Sequence, residues 1–185
     1  MENTEILQKS VDSIVQEIKS EPATLDLGEK YQFANNWDIW YHHSLNDWTV
    51  SGYRKIFSIL NIKTFWDFHN NIDCIGGINN LHFFLMRKGI TPIYEDTRNR
   101  NGGCFSVLVP INESYAVWEK LAAGLCGETL IKDNGILSGL SINQKSNVSV
   151  IKIWNNDRTK NDPAILPQFI RKYGNIIYQK HKLDF

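Results

Sequence analysis

Phe33-Ala34-Asn35-Asn36-Trp37-Asp38-Ile39-Trp40-Tyr41-His42-His43 is the stretch on which the fold turns. Apolar and aromatic residues interleave with polar ones, the two-residue period of a strand with one face against a core. Outward from it the same pattern recurs. Residues 81–86, 104–109, 136–143, 148–154 and 175–179 read as further strands. Helical spacing marks 63–72, which holds Phe65, Trp66 and Phe68. It also marks 113–126, with Tyr115, Val117, Trp118, Leu121 and Leu125 as apolar positions, and a helix is expected from Asp162 or Pro163 through Tyr173. Residues 42–47 read as a polar loop presenting Trp48, and Gly76-Gly77 breaks the chain. Strands outnumber helices and short turns join most of them. That pattern predicts an α+β fold, an antiparallel sheet with helices packed on one face.

The 185 residues suffice for one domain with a full core. Residues 1–30 stand apart. Leu7, Val11, Ile14 and Ile18 have the 4-3-4 spacing of an amphipathic helix over 4–20, and Pro22 and Gly28 make 21–30 a linker. The expected domain is therefore 31–185. No apolar run approaches the roughly 18 residues of a membrane span. The acidic N-terminus lacks an apolar signal core, so neither membrane insertion nor export is expected. Cys74, Cys104 and Cys126 form no paired motif and read as reduced thiols of a cytoplasmic protein. Net charge is zero but uneven: 1–30 carries −4 and 140–182 carries +6. A basic third in a neutral chain points to a local anionic ligand rather than a groove for duplex DNA.

Six tryptophans (Trp37, Trp40, Trp48, Trp66, Trp118 and Trp154) exceed what packing a small domain requires. Beside them stands Tyr94-Glu95-Asp96. Rings supply flat stacking faces and a carboxylate reads a ligand edge, a combination suited to a purine and best to a cationic one. No nucleophile elbow, phosphate-cradling glycine loop, zinc-protease helix motif or dinucleotide fingerprint is present. The five histidines are scattered. A binding protein is expected, without catalytic residues, metal or cofactor.

Several stretches in order carry a resemblance. They are Asn36-Trp37-Asp38-Ile39-Trp40-Tyr41, Trp48, Lys63-Thr64-Phe65-Trp66, the run from Gly89 through Ile90, Thr91, Pro92, Ile93, Tyr94 and Glu95 to Asp96, Asn101-Gly102-Gly103, Trp118, Gly127-Glu128, and Ile151-Lys152-Ile153-Trp154. Over about 33–179 the chain resembles the cap-binding translation initiation factor 4E family. The resemblance implies a curved antiparallel sheet, helices on its convex face and a slot on its concave face. It implies that the slot takes the 7-methylguanosine 5′ cap of mRNA. Trp48 and Tyr94 would sandwich the methylated base, Glu95 would accept its N1–H and exocyclic amine, and Trp154 would sit near the N7 methyl.

The chain departs from the family pattern at several positions. The second sandwich ring is Tyr94 where Trp is usual. Lys145 stands for a usual Arg, a point charge in place of a forked guanidinium. Val150 and Cys104 occupy positions usually basic. Lys152, Arg98 and Arg100, with Lys180 and Lys182, are the candidates to complete the phosphate contact. On the other face, Trp66 and Ile62 match the surface where helical peptides of the scaffold factor 4G or of 4E-binding repressors dock, while Glu119 falls where a leucine is usual. The expected role is recruitment of capped mRNA to translation in the cytoplasm. The alternatives are a cap-binding repressor or an interaction adaptor that does not engage the scaffold.

Overall fold

The computed structural model describes residues 31–42, 46–75, 77 and 82–182; the predicted N-terminal helix and linker lie outside them. The sheet contains β1 (Gln32–His42), β2 (Tyr53–Asn61), β3 (His82–Arg87), β4 (Gly103–Pro110), β5 (Leu137–Gln144), β6 (Val148–Asn155) and β7 (Ile177–Lys180). Its order is β2-β1-β3-β5-β6-β4-β7, with every neighbour antiparallel. Irregular pairing of β1 with β2 at Gln32/Trp37 and at Ile39/Trp40 bends that edge and sharpens its twist. This curved, helix-backed sheet is the predicted α+β fold.

Two corrections concern elements. The strand β2, Tyr53-Arg54-Lys55-Ile56-Phe57-Ser58-Ile59-Leu60-Asn61, was not expected. The predicted helix over 162–173 is broken: Pro163–Ile165 forms one 3-10 turn and Gln168–Arg171 a single helical turn. Pro167 between them lacks a backbone donor and disfavours helical geometry at the preceding residue.

Helix α1 (Ile62–Asn70) starts at a reciprocal cap. The Asn61 Oδ1 accepts from the Thr64 N–H at 2.9 Å, and the Asn61 N–H donates to the Thr64 hydroxyl at 3.0 Å. Helix α2 (Ile111–Cys126) buries Ser114, Val117, Trp118, Leu121, Ala122, Leu125 and Cys126, an unbroken 3-4 stripe. That stripe, with Phe65 and Phe68 of α1, covers one face of the sheet, made by Trp37, Ile39, Phe83, Leu85, Phe105, Val107, Leu140, Ile142, Ile151 and Ile153. Phe84, Met86, Cys104 and Trp154 point to the other face and join Trp40, Tyr53 and Tyr94 in a second, smaller cluster. No described helix is long and apolar enough to cross a membrane.

Arg87 ties the end of β3 to the helix side. Its guanidinium donates to both carboxylate oxygens of Glu128 (2.9 and 3.4 Å) and to the Asn134 carbonyl at 3.2 Å. It also lies 4.5 Å from the centre of the Trp37 ring. Removing one member of such a half-buried network strands the others. Arg87→Met is expected to lower the unfolding free energy in urea by about 3 kcal/mol. A loss under about 0.5 kcal/mol would make it an ordinary screened surface pair.

Candidate functional site

A cavity of about 610 Å3 opens on the sheet face opposite the helices. Its floor is sheet: Phe84 and His82 of β3, Ser141 and Asn143 of β5, and Val150, Lys152 and Trp154 of β6. Its walls are two loops, one carrying Trp48 and the other Pro92, Ile93, Tyr94 and Glu95. Six of the candidate site residues therefore meet at one place: Trp48, Tyr94, Glu95, Lys145, Lys152 and Trp154.

The Trp48 loop is shaped by Asp47. One carboxylate oxygen accepts from the Thr49 N–H (2.9 Å) and the Thr49 hydroxyl (2.6 Å), the other from the Ser51 hydroxyl (2.7 Å). These bonds, the Thr49 hydroxyl foremost, hold the Asp47 carboxyl below the usual carboxylate range. The His42 Nε2 donates to the Asp47 carbonyl at 2.7 Å, and its ring stacks on Trp48 with centroids 4.2 Å and planes 16° apart. Gly52 is required here, since a Cβ would meet the Asp47 carbonyl oxygen at 1.8 Å. So held, the Trp48 ring is 56% exposed.

The Tyr94 wall is built in the same way. Asp96 accepts from the Thr91 and Arg98 N–H groups, each at 2.9 Å. The fully buried Asn99 donates from its amide to the Thr91 and Ile93 carbonyls at 3.0 and 2.9 Å. Behind Tyr94 lies His181, stacked at 4.5 Å and 18°. Its Nδ1 lies 2.7 Å from the Asn99 carbonyl, which accepts only, so Nδ1 carries the proton. The Lys152 Nζ reaches the Tyr94 hydroxyl at 3.4 Å. Trp154 is buried beneath, 5.3 Å from Tyr94, with its Nε1 donating to the Ser141 hydroxyl at 3.0 Å. Glu95 is exposed on the rim. Among the described residues no group hydrogen-bonds to its carboxylate.

The other candidates fall elsewhere. Arg98 is turned away, its guanidinium donating to the Gly89 carbonyl. Neither Arg98 nor Arg100 is among the residues lining the slot, and neither are Lys180 and Lys182. Cys104 is buried beside Trp154, opposite it across the β4–β6 ladder. Trp66 and Ile62 lie on α1, each 44% exposed. Glu119 lies near His69 and Tyr115.

His42, Tyr53, His82, Phe84 and His181 escaped the sequence reading as parts of this site. His82 and Phe84 alternate on one strand, the signal that could have placed both on one face. Burial pushes the Tyr53 phenol up and the His82 imidazole down to about 3. His69 and His181 are likewise lowered, chiefly by burial. Chemically, the slot offers flat apolar faces, one rim carboxylate and two ammonium groups, a set suited to stacking and to pairing with charge. Among the described residues no group of three or more His, Cys, Asp or Glu is placed to hold a metal ion.

The family model described as eukaryotic initiation factor 4E matches residues 32–185. Initiation factor 4E-3 of Caenorhabditis elegans is 23% identical over 164 residues, 84% of this chain, which spans 63% of that relative's length. Initiation factor isoform 4E of Arabidopsis thaliana is 24% identical over 171 residues, 89% of this chain and 85% of its own. Among solved structures, the complex of the C. elegans 4E-3 factor with the 4E-binding protein Mextli and cap analog superposes with a TM-score of 0.71 at 22% identity. It covers 82% of this chain and 92% of that one.

The three lowered histidines set an acid limit on stability. Burial disfavours the imidazolium form of each when folded, whereas the unfolded chain takes up protons near pH 6.5. Below that value the unfolded state binds more protons, so stability falls as pH falls. Urea unfolding is expected to give a level free energy above about pH 7 and a steady decline between about pH 6.5 and 5. A flat profile across that window would mean the imidazoles reach water.

Proposed function

Since the chain belongs to the eukaryotic initiation factor 4E family, we propose that it binds the 7-methylguanosine 5′ cap of mRNA and delivers capped transcripts to the translation machinery in the cytoplasm. One observation carries this: Trp48, Tyr94 and Glu95 meet at one slot, with Lys145 and Lys152 on the same cavity. The match of residues 32–185 to the family and the cap analog bound to the C. elegans neighbour support it.

Charge drives the recognition. Methylation at N7 leaves the guanine ring cationic. Two π-faces attract such a ring by stacking and by their quadrupoles, with stacking alone near 1–3 kcal/mol per base. The Glu95 carboxylate accepts N1–H and the exocyclic amine in charge-assisted bonds, and adenine lacks that donor pair. Unmethylated guanine carries no charge and loses the cation–π part. Lys145 and Lys152 supply point charges for the phosphates. The protein binds and orients; no bond is made or broken at this slot.

The opposite face supports a second role. Trp66 and Ile62 project from α1 on the side away from the slot. An exposed indole beside an aliphatic chain suits the apolar stripe of a helical peptide. Mextli bound to the C. elegans neighbour supports a partner of that kind here. With both faces in use, the protein links capped RNA to a scaffold, which favours recruitment over sequestration.

Retention on immobilised 7-methyl-GTP is the direct test: elution by free 7-methyl-GTP but not by GTP is expected, and failure to bind would sink the proposal. Trp48→Ala should weaken binding by about 1–3 kcal/mol and Glu95→Ala by about 1.5–3 kcal/mol, read by tryptophan fluorescence titration. Lys145→Ala should reduce the dependence of log affinity on log salt and leave base selectivity unchanged. An unaltered salt slope would remove Lys145 from the phosphate contact.

A further inference from the structure

The large apolar side chains exposed on the described chain sort by place. Trp48 and Val50 belong to the slot loop. Ile62 and Trp66 lie on the outside of α1, close to Tyr31, whose carbonyl accepts from the Ile62 N–H at 3.2 Å. That leaves Leu108 and Ile177, each 58% exposed.

Sheet register places these two. Leu108 lies directly opposite Val150 across the β4–β6 ladder, as Cys104 lies opposite Trp154 and Ser106 opposite Lys152. Residues paired in this way share a face, so Leu108 stands on the slot side of the sheet. Ile177 pairs with Ser106 from β7 and is therefore the diagonal neighbour of Leu108 on that same face. Val150 belongs to both places, since it also lines the slot. The slot thus continues into an apolar strip: Trp154 and Lys152, then Val150, Leu108 and Ile177. Moving along β6 from Trp154 to Val150 covers about 13 Å at the rise of a strand.

Continuity and charge identify the occupant. A ligand that leaves the sandwich along β6 passes the Lys152 ammonium first, with Lys145 on the same cavity. Those cations suit phosphates. Beyond them Val150, Leu108 and Ile177 are aliphatic, with Ser106 beside Lys152 and Ile177 in the ladder. In a capped RNA the triphosphate leads on to a ribose and a flat base, whose apolar face gains from burial against aliphatic side chains whatever its edge. We propose that Leu108, Val150 and Ile177 form a shelf for the base of the first nucleotide after the cap, so that the protein gains affinity from packing that nucleotide where charge on the phosphates is sparse. This inference rests on the cap reading above.

The test compares two ligands on the full chain by tryptophan fluorescence: 7-methyl-GTP, and the dinucleotide in which the 7-methylguanosine triphosphate is joined to adenosine. The dinucleotide is expected to bind roughly tenfold tighter, the scale of a small apolar burial. In the Leu108→Ser, Ile177→Ser double variant that advantage should vanish while 7-methyl-GTP affinity holds, and Leu108→Met should keep it. Equal binding of the two ligands by the parent chain would overturn the shelf. So would an advantage that survives the double variant, or a double variant that loses 7-methyl-GTP as well. Sedimentation showing a dimer abolished by the double variant would also overturn it, since the strip would then be an interface between copies. Failure of 7-methyl-GTP to bind the parent chain would instead overturn the cap reading itself.

Discussion

A strand sends alternate side chains to opposite faces, and in this sheet both faces carry specialised work. On β1, Trp37, Ile39 and Tyr41 enter the helix-backed core, while Trp40 packs against the slot-side cluster and His42 stacks on Trp48. On β3, Phe83 and Leu85 go one way, and His82, Phe84 and Met86 the other. A slip of one residue would drive Asp38 into the core and lift Trp37 out of it. Register therefore decides core and binding face at once. Arg87 helps to pin it, because one guanidinium engages Trp37 on β1 and Glu128 beyond α2.

The two slot walls solve one problem by the same means. Stacking needs rings held edge-free and upright on loops that would otherwise wander. At each wall an aspartate accepts the N–H two residues on, Asp47 from Thr49 and Asp96 from Arg98, and so closes a local turn. At each wall a histidine ring also lies flat against the aromatic, His42 on Trp48 and His181 on Tyr94. Burial disfavours the charged form of His181, and its ring lies flat behind Tyr94 as a brace. Asp47 and Asp96 both accept backbone N–H groups of their own loops, and Glu95 stands exposed on the rim.

How much of this was legible depends on what kind of signal each part leaves. Strands with strict alternation around large apolar residues were readable, as was the α2 stripe. The strand β2 was missed because consecutive cations, Arg54 and Lys55, follow Tyr53 and only Phe57 and Ile59 are buried apolar positions. An edge strand packs one flank only and leaves a weak pattern. The helix over 162–173 failed because its apolar content masked Pro167, which breaks it. Trp48, Tyr94 and Glu95 were reachable through family resemblance and local polarity. His181 was not, since its contact with Asn99 spans 82 residues and leaves no periodic trace. Arg98 shows the opposite limit: a nearby cation in the sequence finds backbone carbonyls to serve instead.

The sheet does not close, and that openness shapes how copies of the molecule meet. Its two borders are β2 and β7, each with a flank of ladder groups turned outward. Such borders recruit other strands unless something discourages them. Here β7 is only four residues long, and β2 carries Arg54 and Lys55 directly after its first residue, Tyr53. A short border gives little to zip against, and adjacent like charges repel a second border laid antiparallel to the first. Fibre-like growth is thus disfavoured at both margins, and copies of the molecule are kept from zipping edge to edge.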